Sequence, residues 1–237
     1  MQILYEDDDV LVINKPTGMV VNRAVSVRSE TVQDWVESKV KSQKSKVKSA
    51  YEKVFYDRSG IAHRLDKDTS GCLLIAKNPT ALTNLLYQFK TRSIQKEYTA
   101  LVYGSVVPQS GTVRAPIGRL PWRRGLFGVM AGGKEAQTDY HVERILTYNN
   151  EPYSLVSALP KTGRTHQIRV HLQYINHPIV GDVFYSGKKR CRKARLWCPR
   201  LFLHASRIAF IHPVKNKQIQ VVCSLPEELT NVIKSMT

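Results

Sequence analysis

The chain has 237 residues, 42% hydrophobic and 23% charged, a globular composition that excludes a disordered or fibrous chain. Thirty-six Lys and Arg against nineteen Asp and Glu give a net charge of +17 and a pI near 9.8. A folded chain with that excess repels itself until it meets a polyanion, so nucleic acid is the expected partner. No apolar run approaches a membrane span, so no membrane is expected. Of the four cysteines, Cys72 and Cys223 lie in apolar runs and read as reduced core residues. Cys191 and Cys198, even with His204, lack the tight spacing of structural zinc sites. The expected compartment is the reducing cytoplasm, since the acidic, strand-like MQILYEDDDVLVINKP has the character of neither a signal nor a transit peptide.

In chain order, Val10 to Asn14 (VLVIN) reads as a buried strand, ended by a turn at Lys15-Pro16-Thr17-Gly18. Thr31 and Asp34 form a capping-box pattern that predicts a helix over Thr31 to Val40. From Ser38 to Lys53 come six lysines and one glutamate, which fit either an exposed helix extension or loop, or an arm that contacts phosphates. HRLDKDTSG (His63 to Gly71) then leads into CLLIA, a strand, and Asn78-Pro79 opens a helix with a core stripe of Leu82, Leu85, Leu86 and Phe89. KEYTALVYG (Lys96 to Gly104) alternates like a strand, with Lys96, Tyr98, Ala100 and Val102 on one face. Further strands are predicted at Gln137–Val142, Tyr153–Ala158, Leu201–Phe210 and Gln218–Cys223. A helix in TGRTHQIRVHLQYINHP is capped by Thr165 and ends at His177-Pro178; Ile168, Leu172 and Ile175 face inward, and His166, Arg169, Gln173 and Asn176 outward. Strands outnumber helices without regular alternation, which predicts one α+β domain with a mixed, mostly antiparallel sheet.

Three segments carry residues that chemistry would need: HRLDKDTSG a carboxylate, KEYTALVYG a phenol and GRTHQIRVHL a guanidinium. Taken singly, each has a plain structural reading: Asp66 capping a turn, Tyr98 half-buried in a strand, Arg169 on a solvated helix face. There is no GxxxxGK[ST] or GxGxxG phosphate cradle, so no nucleotide cofactor is expected. A metal site from His63, Asp66, Asp68, His166 and His171 is disfavoured, because His166 and His171 miss the i, i+4 spacing.

Together, HRLDKDTSG, KEYTALVYG and GRTHQIRVHL, with VLVINKPTG before them and HPIVGD and LFLHASRIAF after, resemble the RluA family of RNA pseudouridine synthases from about Tyr5 to Leu225. The resemblance implies a catalytic domain over the whole chain that isomerises uridine in RNA with no cofactor and no metal. It places the essential carboxylate on Asp66, the active-site tyrosine on Tyr98 and the active-site basic residue on Arg169, and gives Asp68 a turn role. A stacked uridine must first be flipped out. Arg169 is then expected to keep Asp66 ionised, and Tyr98 to offer a flat face to the base and a phenol near C5. Attack at C1′, addition at C6 and elimination through a glycal all need the same carboxylate. In the loop, Arg64 and Lys67 flank Asp66, Thr69-Ser70-Gly71 supply the tight turn, and His63 orients or packs.

The RNA contacts are expected from Arg64, His166, Gln167, Lys188, Lys189 and Arg190, the last three in a basic loop that continues through Arg192, Lys193 and Arg195. Arg119, Arg123 and Arg124 flank Trp122, which reads equally as a base-stacking ring or a core anchor. Basic insertions are placed near 38–53, 119–134 and 187–200. The chain is expected to begin on the catalytic segment with no S4-type RNA-binding domain, so these insertions would choose the RNA, ribosomal or transfer. A monomer is expected. The alternative is a non-catalytic RNA-binding protein that keeps the synthase fold.

Overall fold

The computed structural model describes residues 1–39, 49–123 and 125–237. The centre of the lysine-rich run and Arg124 lie outside the described residues. The elements in chain order are β1 (Gln2–Glu6), β2 (Val10–Lys15), α1 (Val32–Lys39), α2 (Ala50–Arg58), β3 (Ser70–Ala76), α3 (Pro79–Lys90), β4 (Gln95–Tyr103) and β5 (Ser110–Arg114). There follow β6 (Ile117–Arg119), β7 (Phe127–Val129), β8 (Gln137–Tyr148), β9 (Glu151–Pro160), α4 (Gln167–Tyr174), α5 (Lys188–Ala194), β10 (Leu203–Ile211), β11 (Gln218–Val222) and α6 (Glu227–Lys234). Strands outnumber helices among the described residues and every strand pair given a register is antiparallel, so the α+β class stands. The chain forms two compact units, Met1–Gln95 with Ala205–Cys223 and Lys96–His204 with Ser224–Thr237.

In the first unit, β1, β2, β3 and β10 are successive neighbours, and β11 pairs with β10. β2 and β3 are buried almost throughout, which is why both read as unbroken apolar runs rather than as alternation. The capping box forms as predicted: Thr31 N–H donates to Asp34 Oδ2 at 2.8 Å and Asp34 N–H to Thr31 Oγ1 at 3.2 Å. Asn78 caps α3 by accepting from Ala81 N–H. The buried stripe of α3 is Ala81, Leu82, Leu85 and Gln88, with Leu86 and Phe89 only partly covered. Gln88 tolerates burial because its amide donates to Ile211 O (2.7 Å) and accepts from Ile211 N–H (3.0 Å), as a paired strand would. At the far end of the unit, Asp7 Oδ2 accepts from Tyr5, His212 and Lys215 at 2.7–2.8 Å, and Oδ1 from the N–H groups of Asp9 and Val10. That carboxylate ties the β1–β2 turn to the β10–β11 turn.

In the second unit the strand order is β4-β9-β8-β5, with β6 and β7 as a separate hairpin. β8 runs well past the predicted Val142. A bulge between Val142 and Arg144 shifts the alternation by one residue, so the period-two pattern stops there while the strand does not. Asn149 and Asn150, at φ of 50° and 61°, close the β8–β9 hairpin with the backbone of a type I′ turn. The basic loop predicted at 187–195 is a helix, α5. Cys191 and Ala194, three residues apart, are its buried side, too narrow a stripe to show in the sequence.

Candidate active site

The Asp66 loop is assembled within the first unit. His63 Nε2 accepts from Leu74 N–H at 2.9 Å and its ring lies 4.9 Å from that of Phe89, so the imidazole packs and orients. The tight turn falls on Asp66–Thr69, closed by Thr69 N–H to Asp66 O at 3.2 Å, and so begins three residues before the predicted Thr69. Ser70 and Gly71 already belong to β3. Gly71 is required for a different reason: at φ +110° a Cβ there would sit 2.3 Å from Ala205 O.

The turn after β2 clamps this loop. Gly18 N–H donates to Lys67 O (2.9 Å) and Thr17 Oγ1 to Asp68 O (2.9 Å). Lys15 is fully buried, and its Nζ donates to Pro16 O, Met19 O and Lys67 O at 2.7, 2.8 and 3.1 Å. An ammonium has three N–H bonds, and three carbonyls take them here, which makes burial of the charge tolerable. The backbone on either side of Asp66 is thereby held while its carboxylate stays half-buried and Arg64 and Lys67 are exposed.

Tyr98 lies on β4 in the second unit, opposite Ala158 of β9, and is buried rather than half-buried. Lys96 shares its face of the strand, and burial lowers the Lys96 pKa to about 8.

α4 departs most from expectation. Its N-cap is His166, at φ 56°, and no side chain caps it, so Thr165 does not do so. Arg169 is not on a solvated face; it is 2% exposed. Its Nε and Nη2 donate to Asp182 Oδ2 (2.7 Å) and Oδ1 (2.9 Å), and its Cζ lies 5.4 and 5.1 Å from the ring centroids of Phe184 and Tyr185. His166 joins the same group through a 2.9 Å bond between its Nδ1 and Tyr185 Oη.

Gln167 is buried. Its Oε1 accepts from Thr162 Oγ1 (2.7 Å) and Arg164 N–H (3.0 Å), and its Nε2 donates to Gln137 O (2.9 Å) and Thr138 Oγ1 (3.0 Å). Every donor and acceptor of the amide is spent inside the protein, which favours a structural role over the expected RNA contact. Thr138 passes the network to His171, which is buried and bonded to Ala115 O. Burial lowers the His171 pKa, so the ring is a neutral core residue.

On α5, Lys188, Lys189, Arg190, Arg192 and Lys193 are all exposed, and the Arg190 guanidinium lies 5.5 Å from the Tyr103 ring. Trp122 is 73% exposed, which excludes the core-anchor reading and leaves its ring open to a stacking base. Among the described residues, the one potential metal-ligand group is Asp7, Asp9 and His212. There His212 Nδ1 accepts from the N–H groups of Val214 and Lys215, so its proton sits on Nε2 and goes to Asp7. Sequence reading missed Lys15 and Asp182. The signals were a lysine closing an otherwise apolar strand and an acid ending the apolar run HPIVGD.

The family model described as RNA pseudouridylate synthase matches residues 9–174, a stretch that crosses from the first unit into the second. The chain belongs to the RNA pseudouridine synthase family. It is 37% identical to the uncharacterized RNA pseudouridine synthase YlyB of Bacillus subtilis, over 100% of this chain and 73% of that protein. It is also 37% identical to ribosomal large subunit pseudouridine synthase D of Blochmanniella floridana, over 98% of this chain and 72% of that protein. Among solved structures, human RNA pseudouridylate synthase domain containing 1 shares 29% identity at a TM-score of 0.70, over 95% of this chain and 83% of that one. Human RNA pseudouridylate synthase domain containing 4 has a TM-score of 0.73 at 24% identity, covering 100% and 94%, and supports the fold. As a pseudouridine synthase, the protein is an RNA uridine isomerase, and no described helix is long and apolar enough to cross a membrane.

Proposed function

We propose that this synthase isomerises uridines of structured RNA, with ribosomal RNA of the large subunit as the first candidate and transfer RNA as the second. The ribosomal candidate rests on relatives named ribosomal large subunit pseudouridine synthase D in Blochmanniella floridana and Yersinia pestis. The observation that carries the reading is the clamped loop bearing Asp66, inside the stretch that matches the family model.

In this reading Asp66 is the essential carboxylate, Tyr98 the ring and phenol that face the base, and Arg169 the cation that stabilises negative charge in the reaction. The N1–C1′ bond breaks, the base turns, C5 bonds to C1′, and the proton lost from C5 is matched by one gained at N1. Nothing is consumed, so the reaction needs neither nucleotide nor redox partner. Arg64, Lys188, Lys189 and Arg190 would track phosphates, with Trp122 stacking on a base. We further propose that the protein acts as a monomer in the cytoplasm, where its four thiols would stay reduced.

The test is tritium release from RNA labelled at uridine C5, with ribosomal and transfer RNA pools assayed separately. Wild type should release tritium and Asp66→Asn should not, while binding RNA equally well. Equal release by both would sink the role of Asp66. Binding without release from any pool would favour a binding-only protein.

A further inference from the structure

We infer that Asp182 is the positioning residue that sets the plane of the Arg169 guanidinium for the reaction; this rests on the role proposed above for Arg169. An arginine side chain has several free torsions, and α4 fixes only where it starts. A single hydrogen bond would leave the head group free to rotate. Asp182 makes two, from separate oxygens to Nε at 2.7 Å and Nη2 at 2.9 Å, and this fork-to-fork contact defines the plane.

Asp182 is itself immobilised. It is fully buried, its Oδ1 accepts from the N–H groups of Phe184 (2.9 Å) and Tyr185 (3.2 Å), and its carbonyl accepts from Ser186 Oγ at 2.6 Å. The residue before it must be glycine, since at Gly181 (φ +75°) a Cβ would lie 2.2 Å from Arg200 O. That close approach puts the Asp182 carboxylate under Arg169, and the same turn brings the rings of Phe184 and Tyr185 against the guanidinium. The carboxylate holds the Nε–Nη2 edge.

The competing account is an ion pair that only ties α4 to the 179–186 turn. Asp182→Asn, Arg169→Lys and the double variant separate the two by tritium release, RNA affinity and the exchange rate of the Arg169 Nε–H proton by NMR. Asp182→Asn should lower kcat by roughly 10–100-fold, as losses of orienting partners do, with KM and RNA affinity within about twofold. The double variant should be no slower than Arg169→Lys alone, because Asp182 acts through Arg169. The Nε–H proton, protected in wild type, should exchange fast in Asp182→Asn.

A kcat within threefold of wild type per folded molecule, losses that multiply in the double variant, or protection that survives in Asp182→Asn would each overturn the inference. If Asp182→Asn does not fold, Asp182→Glu keeps the charge but displaces the fork; reduced kcat with unchanged KM would support positioning, and wild-type kcat would overturn it. A wild-type protein that releases no tritium from any RNA would sink the functional reading instead, and the NMR arm alone would then decide whether Asp182 orients Arg169.

Discussion

Replacing Gln167 with leucine removes an amide while nearly conserving volume, so the cost is a loss of hydrogen bonds and not of packing. Four bonds disappear, at 2.7, 3.0, 2.9 and 3.0 Å. Those with Thr162 and Thr138 lie in the buried interior, where water cannot replace them and each loss costs about 1–2 kcal/mol, although the hydroxyls keep Gln137 N–H and His171 as partners. Those with Arg164 N–H and Gln137 O are only partly buried, and water can replace them at about 0.5 kcal/mol each. The expected sum is about 3–5 kcal/mol, or a fall in Tm of roughly 6–20 °C for a chain of this size. Thermal and urea melts would measure it, with RNA affinity of the folded protein followed in parallel. Near-wild-type stability with RNA affinity reduced tenfold would refute the argument, and would return Gln167 to the RNA surface.

Lys15→Met should take the ammonium donor from Pro16 O and Met19 O, leave Lys67 O with Gly18 N–H, and loosen the Asp66 loop, so turnover should drop about tenfold or more while RNA still binds; wild-type turnover would show that the loop holds itself. Asp7 gives an acid-sensitivity test. Partial burial pushes its pKa up, but bonds from Lys215, from the N–H groups of Val10 and Asp9 and from Tyr5 outweigh this and hold it well below the usual carboxylate range. A depressed folded pKa contributes stability that is present above the unfolded value near 3.8 and is lost as pH falls below it. Asp7→Asn should therefore be less stable than wild type at pH 7 and show a flatter stability profile from pH 4 downward; parallel profiles would assign acid sensitivity to other groups. Neutralising Lys188, Lys189, Arg190, Arg192 and Lys193 should weaken RNA binding at little cost to kcat. It should also flatten the salt dependence of binding, by about 0.7 in log–log slope for each RNA phosphate that the protein then leaves unneutralised. An unchanged slope would move the RNA path off α5.

Much of the fold was legible because the deciding interactions are local. The apolar runs of β2 and β3, the Thr31–Asp34 capping box and Asn78-Pro79 at the start of α3 each specify an element within a few residues, and each forms as written. The same holds for the chemistry-bearing segments, whose residue types and spacing name the family. α5 was missed because two buried positions in a run of cations leave no period to read. β8 was cut short because its bulge resets the alternation.

Burial and pairing are another matter, since they depend on what distant chain packs alongside. Nothing near Arg169 in sequence says that its guanidinium meets Asp182, thirteen residues on, instead of solvent. Nor does anything near Gln167 announce that its amide is filled by residues from 137, 138, 162 and 164. Lys15, the last residue of an apolar strand, is buried because three carbonyls converge on it, one of them from Lys67, 52 positions away. The amino-acid sequence by itself determined the locally specified elements, the family and the residues worth suspecting. Which of those side chains stay open to solvent and which are spent holding the protein together was decided by tertiary packing, because a polar group survives burial only where the fold delivers its partners.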